Sequence, residues 1–315
     1  MQVSRFCFIY ERAMKKILAV FYSQTGQLEA VLDSVLKPLE RDPQFSVTRL
    51  YLQPVPDYPF PWTAMQFCDV FPEAFAEIPG ELRALDTADE DYDLVVLAWT
   101  VWFLSPSIPV SSFLQSDAGR RLMQDTKVIS LVGCRNMWSA AFDKLKKRIA
   151  DSGGKLVGNI VLTERTSNLL GILTIAVWML TGKKERFLRI FPRPGINRQD
   201  IHNASRFGEY IRRAWSGKDL QVQQTDLLAL GAVSVDPALV FMEKRISGIF
   251  RKWAAFIRAR GGPGSPERSK RVRAFLVYLL TAVVFLAPLS QVAAWLRGKI
   301  GKHTQDLEVQ KYQGL

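Results

Sequence analysis

Hydroxyl and glycine residues directly follow an apolar run near the start of the chain. The run Ile17–Phe21 reads as a buried strand, and an amphipathic segment begins six residues after Tyr22. N–H groups at a helix start bind anions, and hydroxyl groups add further donors. The loop contains neither the lysine of a P-loop nor a G-x-G-x-x-G pattern. The spacing predicts a phosphate cradle, with an ordinary polar turn as the alternative; it comprises Ser23, Gln24, Thr25, Gly26, Gln27 and Leu28.

Two later loops have the composition expected for contacts with a flat aromatic ligand. Each follows an apolar run, and the carboxyl edge of a parallel sheet is where ligands bind. Tryptophan can stack on such a ligand, and Arg135 can balance negative charge on it. The alternatives are aromatic residues that only pack the core and a surface salt bridge for Arg135. The predicted contacts are Trp99, Thr100, Val101, Trp102 and Phe103 in one loop, and Gly133, Cys134, Arg135, Asn136 and Trp138 in the other.

Strand and helix patterns alternate through the first half of the chain. Continuous apolar strands separated by helices indicate an α/β fold with a parallel sheet covered on both faces. The predicted strands are Ile17–Phe21, Ser46–Leu52, Leu94–Ala98, Val128–Val132 and Leu156–Leu162. The predicted helices between them are Leu28–Leu39, Val110–Met123 and Ser139–Ala150.

The net charge of +12 is concentrated in the second half of the chain. Residues 1–182 carry 18 Lys/Arg against 20 Asp/Glu, whereas residues 183–315 carry 24 against 10. A basic region favours nucleic acid or an anionic membrane. The neighbouring apolar runs and the lack of a base-stacking motif favour the membrane, so no nucleic-acid partner is expected. Three unpaired cysteines and two histidines indicate no disulfide framework and no metal site.

Long apolar segments suggest contact with a membrane. Residues 274–296 carry no formal charge over 23 positions, which is long enough for a transmembrane helix or a helix in the membrane plane. A flexible basic linker at 261–273 precedes it and places the larger domain at the cytoplasmic face of the inner membrane. The remaining predicted divisions are an extension at 1–14, a main domain at 15–260 with an aromatic insertion at 53–80 and an apolar insertion at 165–195, and a polar tail at 297–315.

The cradle sequence YSQTGQ resembles the S/T-x-T-G-x-T pattern of flavodoxins, with Leu28 in place of the last hydroxyl residue. Together with PFPW at 59–62, WFLSPSIP at 102–109, GCRNMW at 133–138 and GNIVL at 158–162, it resembles a flavodoxin-fold family. Members of that family are often called dialkylresorcinol condensing enzymes. The resemblance implies the strand order 2-1-3-4-5, bound FMN and a ketosynthase-like partner enzyme.

The resemblance also implies a reaction. In the family's pathway a separate ketosynthase carries out the condensation, and the flavodoxin-like protein is thought to oxidise a cyclohexanedione to a resorcinol. The expected function is therefore an FMN-dependent oxidoreductase for a hydrophobic small-molecule substrate, with NAD(P)H as a second possible cofactor. Asp69 and Glu164 are the candidates for the general base. The alternative is a flavodoxin-like electron carrier or an accessory subunit of the ketosynthase, without substrate chemistry of its own.

Overall fold

A five-stranded parallel sheet forms the centre of the protein, whose computed structural model describes residues 14–85, 91–165, 168–183, 193–216, 219–282 and 302–315. The sheet has the order β2-β1-β3-β4-β5. Every neighbouring pair of strands is parallel. The strands are β1 (Lys15–Phe21), β2 (Phe45–Tyr51), β3 (Leu94–Trp99), β4 (Lys127–Cys134) and β5 (Lys155–Thr163).

The apolar runs identified in the sequence are the buried strands of this sheet. All six residues of β3 are buried, as are Ile17–Phe21 of β1. A strand that is buried at successive positions has both of its faces covered. The predicted α/β class and five-stranded parallel sheet are therefore confirmed, and the strand order is the flavodoxin-like one.

Helices connect the strands and continue beyond the sheet. The helices of the first half are α1 (Gln27–Glu40), α2 (Ala64–Ala76), α3 (Ile108–Gln115), α4 (Asp117–Met123), α5 (Ser139–Asp151) and α6 (Asn168–Thr181). Those of the second half are α7 (Arg198–Asn203), α8 (Ser205–Arg213), α9 (Gln224–Ala229), α10 (Pro237–Arg258), α11 (Ser269–Thr281) and α12 (Lys302–Gln313).

The prediction of one continuous helix at Val110–Met123 is wrong. Ser116 has extended backbone angles and separates α3 from α4. Its side-chain oxygen accepts a hydrogen bond from the Gly119 N–H group at 3.0 Å. Serine is a favoured residue at a helix start because its hydroxyl satisfies one of the free N–H groups there. The local hydrogen bond thus begins a second helix where the apolar pattern alone suggests continuity.

Helix α1 is held on the sheet by a stripe of apolar residues at helical spacing. Its buried residues are Leu28, Val31, Leu32, Val35, Leu36 and Leu39. Helix α8 packs closely against it at Gly208, where an added Cβ atom would lie 1.8 Å from the Val35 carbonyl oxygen. Only glycine permits this approach. Helix α8 therefore covers α1 and fixes the position of the chain that precedes α8.

The aromatic insertion is an ordered unit. Its two ends form a short antiparallel ladder between Pro54–Val55 and Glu81–Leu82. Helix α2 begins at a capping box, in which Thr63 and Gln66 bond reciprocally. The inner side of α2 joins α10 and α11 in a second apolar core, which contains the rings of Phe71 and Phe275 stacked at 4.0 Å.

A buried arginine joins this insertion to the C-terminal helices. Arg268 is completely buried. Its guanidinium group donates to Asp69 Oδ1 at 2.7 Å and to Glu73 Oε1 at 2.9 Å. It also donates to the Asp69 carbonyl oxygen. Residues 261–273 therefore do not form a free basic linker, because the end of α10, the turn after it and the start of α11 pack against α2.

The membrane prediction falls partly outside the described residues. Of 274–296, only 274–282 are described, and they belong mainly to α11. None of the helices in the described parts of the chain combines the length and apolar character needed to cross a bilayer. The extension at 1–13 also lies outside the described residues. The predicted polar tail includes α12, in which the Tyr312 hydroxyl donates to Asp143 Oδ2 at 2.7 Å.

We expect Arg268→Met to lower the free energy of unfolding by about 3–5 kcal/mol, because it leaves Asp69 and Glu73 without their buried partner. Urea unfolding of the purified full chain, followed by circular dichroism, measures this. Arg260→Met is the matched control, since Arg260 is exposed and its replacement is expected to change the free energy by less than about 0.5 kcal/mol. Equal losses in both variants would contradict a stabilising role for the buried cluster.

Candidate functional site

The strand order creates a crevice between two loops. The chain proceeds from β1 to β2 on one side and returns to β3 on the other, so the loops after β1 and β3 diverge at the carboxyl edge. Ligands of open α/β sheets bind at such a switch point. The predicted cradle follows β1, and the predicted aromatic loop follows β3. The topology therefore brings the two main predicted loops to one edge of the sheet.

The cradle lies at the first turn of α1. Gly26 is the residue before the helix, and its φ of 72° lies in the left-handed region that glycine adopts without strain. The Glu29 N–H group donates to Ser23 Oγ at 3.3 Å, so this hydroxyl is used within the loop. The N–H groups of Gln27 and Leu28 stand in the first turn, where a helix offers no internal acceptor.

A cavity of about 340 Å³ opens beside this helix start. Its wall includes Thr25 and Gly26 of the cradle, and Arg198 from the start of α7. Arg198 is exposed, and its charge adds to the positive end of the α1 dipole. The lining residues are Thr25, Gly26, Gln27, Ala30, Arg198 and Ile201. The cavity thus combines hydroxyl, helix-start and guanidinium donors, which together suit a phosphate group.

Gln27 explains why Arg198 lies there. Its side-chain oxygen accepts from the Ile196 N–H group at 3.2 Å, and its Nε2 donates to the Ile196 carbonyl oxygen at 3.4 Å. This two-point attachment fixes the segment before α7 beside the cradle. Gln27 therefore has two roles: it lines the cavity, and it positions the segment that carries Arg198. Sequence reasoning missed Arg198 because nothing near it in the sequence signals that Ile196 binds Gln27, which lies 169 residues earlier.

The side chain of Gln24 does not line the cavity. Its Nε2 donates to the Pro59 carbonyl oxygen at 2.8 Å, and its Oε1 accepts from the Trp62 indole N–H at 3.1 Å. Both partners belong to the aromatic insertion. The prediction of Gln24 as a phosphate contact is corrected accordingly: the polar groups of its side chain hold the insertion over the loop.

Trp102 stands in an aromatic cluster at this edge. Its ring is edge-on to those of Tyr58 at 4.9 Å, Tyr22 at 6.0 Å and Trp62 at 6.0 Å. Burial raises the pKa of the Tyr58 hydroxyl to about 12, so it remains protonated near neutral pH. The sequence prediction included Trp102 but missed Tyr22 and Tyr58. Tyr22 could have been recognised, because it follows the first strand at the same edge.

A strained turn carries Trp102. Val101–Trp102 pairs with Ser105–Pro106 in an antiparallel hairpin, and the Thr100 carbonyl accepts from the Ser107 N–H group. The two turn residues, Phe103 and Leu104, have φ angles of 50° and 62°. Bulky residues rarely adopt these angles, and such strain clusters at functional sites. The Phe103 ring packs on Phe67 and Phe71 of the insertion, which supports the turn from outside the crevice.

Two predicted tryptophans and Leu28 lie in the core. Trp99 is fully buried in β3 and donates its indole N–H to Ser130 Oγ at 2.8 Å. Trp138 is buried against Phe142 and Tyr312. The predictions of Trp99 as a stacking residue and of Trp138 as a ligand contact are therefore corrected, because core packing occupies both rings. The Leu28 side chain is buried close to Gly133, so only its backbone N–H group remains a candidate contact.

The end of β4 and the loop after it contain two partly buried ionisable groups, Cys134 and Arg135. Burial raises the pKa of the Cys134 thiol, and the charge of Glu243 adds to this effect. Cys134 is therefore a thiol rather than a thiolate near neutral pH, which argues against a nucleophilic role. Burial lowers the pKa of Arg135, and the negative charge of Glu164 opposes this. Glu164 joins this loop through its N–H group, which donates to the Arg135 carbonyl at 2.9 Å.

A carboxylate from α10 caps the helix that follows this loop. Glu243 is buried; its Oε2 accepts from the Ser139 hydroxyl at 2.7 Å and from the Ala140 N–H group at 2.6 Å. The start of α5 is thus already occupied by an internal anion. The predicted contact Asn136 lies in the loop between β4 and α5. Burial raises the pKa of Glu243 to about 6, against the lowering effect of these hydrogen bonds.

Asp69 is withdrawn as a candidate base, because Arg268 binds its carboxylate. Glu164 stays a candidate at the carboxyl end of β5, beside Arg135. Within the described ranges, no cluster of three or more His, Cys, Asp or Glu side chains is arranged to hold a metal ion.

Comparisons with known proteins give structural similarity alone. No protein-family model matches the chain, and no curated protein matches it. Among solved structures, a flavoprotein from Lactobacillus acidophilus in complex with FMN is 16% identical, with a TM-score of 0.36, covering 47% of this chain and 93% of that one. Flavodoxin 1 from Bacillus cereus is 14% identical, with a TM-score of 0.33, covering 64% and 100%.

The flavodoxin from Fusobacterium nucleatum bound to flavin mononucleotide is 11% identical, with a TM-score of 0.32. The match covers 64% of this chain and 100% of the flavodoxin. At these identities and TM-scores the similarities do not decide what the present chain binds. The flavodoxin-like fold rests on the order and parallel pairing of the five strands.

We expect the contribution of Glu243 to the free energy of unfolding to fall as the pH rises from 4.5 to about 6. Burial raises the pKa of Glu243 above its ordinary 4.5, so the folded state binds more protons than the unfolded state in this interval. The stabilisation is fully present below pH 4.5 and is lost as the pH rises through about 6. It corresponds to about 2 kcal/mol.

Glu243→Gln is expected to remove this component from the pH dependence of the free energy of unfolding, measured by urea titration at several pH values. Glu81→Gln is the control, because Glu81 is exposed. An unchanged slope in the Glu243 variant would contradict the role of its burial.

Proposed function

We propose that the protein binds FMN at the carboxyl edge of its sheet and is an oxidoreductase. The cavity at the start of α1 is the observation that carries this proposal, because Thr25, Gly26 and Arg198 line it together. The FMN phosphate is a dianion that suits these donors. The lysine that the loop lacks is replaced by an arginine from a distant part of the chain.

The residues present fit FMN at both ends of the crevice. Thr25, the N–H groups of the first turn of α1 and Arg198 would hold the phosphate. Trp102 and Tyr58 offer aromatic surface for the ring, since neither is fully buried. Arg135, balanced by Glu164, would place positive charge beside the ring. When bound, FMN supplies the acceptor for a hydride.

The finer proposal concerns the substrate. We infer an apolar ring compound of the cyclohexanedione type, as in dialkylresorcinol biosynthesis. The aromatic insertion supports this, because Tyr58 and Trp62 form an apolar wall against Trp102. The reaction removes a hydride from one ring carbon and a proton from its neighbour, and the diketone becomes a resorcinol. Glu164 is the candidate acceptor of that proton.

A condensing activity has less support than oxidation. Condensation needs a thiolate nucleophile with a histidine or asparagine partner. Burial raises the pKa of the Cys134 thiol. Burial also raises the pKa of the Cys68 thiol, to about 12. In contrast, an electron carrier with the same cradle remains the second candidate, because the flavodoxin-like sheet suits either role.

We expect the purified chain to retain added FMN through desalting, with its visible absorbance bands. Arg198→Gln is expected to weaken FMN binding about tenfold, because a charge-assisted contact to phosphate is lost. Riboflavin, which has no phosphate, should bind both forms equally. Arg193→Gln is the matched control, since Arg193 is exposed and does not line the cavity. A colourless protein that leaves FMN fluorescence unchanged would refute the proposed cofactor.

A separate measurement tests the substrate. FMN-loaded protein mixed without oxygen with a dialkyl cyclohexane-1,3-dione is expected to lose its flavin absorbance and to form one resorcinol per flavin. Glu164→Gln should slow this reaction about a hundredfold or more, as loss of a general base does, while FMN remains bound. Retained FMN without any bleaching by the diketone would favour the electron carrier instead.

A further inference from the structure

Helix α10 has a mixed apolar and basic stripe on its outer side. Five residues follow one another at intervals of three or four, which places them on one face of the helix. Phe241, Ile249 and Phe256 are between 42% and 50% exposed. Arg245 and Lys252 lie between them and are also exposed. We call this the α10 stripe; it comprises Phe241, Arg245, Ile249, Lys252 and Phe256.

The stripe is separate from the side of α10 that packs on the protein. Leu239, Val240, Ala254 and Ile257 are the apolar residues of α10 that are buried. Single exposed apolar residues are ordinary on protein surfaces. A row of three large ones on one helix face is a contiguous feature, and such features mark interaction sites.

Helix α11 extends this surface. It packs beside α10 through Phe275 and Trp253, whose rings are 5.6 Å apart. Arg271 of α11 lies over the Phe256 ring, 4.1 Å from its centroid. On α11 itself, Val277 and Leu280 are almost three-fifths exposed. The apolar residues of both helices therefore continue from the stripe towards residue 282.

The charge of this surface is strongly positive. Residues 237–282 contain ten Lys/Arg and two Asp/Glu. One of the two acids, Glu243, is buried at the start of α5, and Arg268 is buried against Asp69 and Glu73. The exposed cations are Lys244, Arg245, Arg251, Lys252, Arg258, Arg260, Lys270 and Arg273, of which Lys244 is paired with Glu308 of α12. An apolar stripe among cations is the pattern of helices that lie in the interface of an anionic membrane.

We propose that the outer face of α10 and α11 docks on the surface of an anionic lipid bilayer, with Phe241, Ile249 and Phe256 entering the boundary between headgroups and acyl chains. Positive charge complements the lipid phosphate groups, and aliphatic side chains such as Ile249 and Leu280 suit acyl chains better than nucleic-acid bases. The docking face is independent of the proposed FMN site and of whether residues 283–296 enter the bilayer.

Lysine footprinting of the full chain tests this docking. The chain is reconstituted in vesicles of phosphatidylcholine alone, or of phosphatidylcholine with phosphatidylglycerol, and treated with a membrane-impermeant acylating reagent. Mass spectrometry then gives the reaction rate of Lys252 relative to Lys37, which is exposed on α1. We expect Lys252 to react several-fold more slowly on the anionic vesicles, with no change at Lys37.

Two variants separate docking from simple insertion of an apolar segment. Phe241→Ser/Ile249→Ser/Phe256→Ser alters exposed residues and should return the Lys252 rate on anionic vesicles to its value on phosphatidylcholine. Arg41→Gln/Arg83→Gln, two exposed arginines elsewhere, should keep the protection. Equal Lys252 rates on both vesicle types, or protection that survives the triple substitution, would overturn the proposal. Protection by single-stranded RNA in the absence of vesicles would also overturn it.

Discussion

The ion cluster of Arg268 with Asp69 and Glu73 is the constraint on which the arrangement around the sheet depends. A buried guanidinium is tolerated only where carboxylates and carbonyl oxygens satisfy it. This requirement fixes the start of α11 on α2, and α2 supports the strained turn at Phe103. The aromatic wall of the crevice and the basic outer surface are therefore parts of one packed unit, although their proposed partners differ.

The crevice itself depends on a second long-range attachment. Gln27 belongs by sequence to the cradle, yet its amide binds the backbone at Ile196 and brings Arg198 to the cavity. Gln24 holds the insertion in a comparable way. Two residues that a motif would assign to the phosphate thus organise the walls around it. In the proposed site, direct contact with the phosphate is left to Thr25, the helix start and Arg198.

The sheet was predictable because its information is local. Each buried strand is a short apolar run between polar residues, and periodicity identifies such runs without knowledge of their neighbours. The break at Ser116 was not predictable from apolar spacing, since a side-chain hydrogen bond decides it. In the site, residue type suggested ligand contacts for Trp99, Trp102 and Trp138 alike. Only tertiary packing separates the partly exposed ring of Trp102 from the two rings in the core, and no local pattern encodes Arg198 or Arg268.

The buried cluster has a consequence for the order of events during synthesis. Asp69 and Glu73 leave the ribosome almost two hundred residues before Arg268. At the usual elongation rate of about 5–20 residues per second, this delay is roughly 10–40 seconds. The nascent sheet can assemble in that time, because its strands end at Thr163. The carboxylates of Asp69 and Glu73, however, must stay in water or bound to a chaperone until Arg268 has left the ribosome. Only then can α2 pack against α10 and α11.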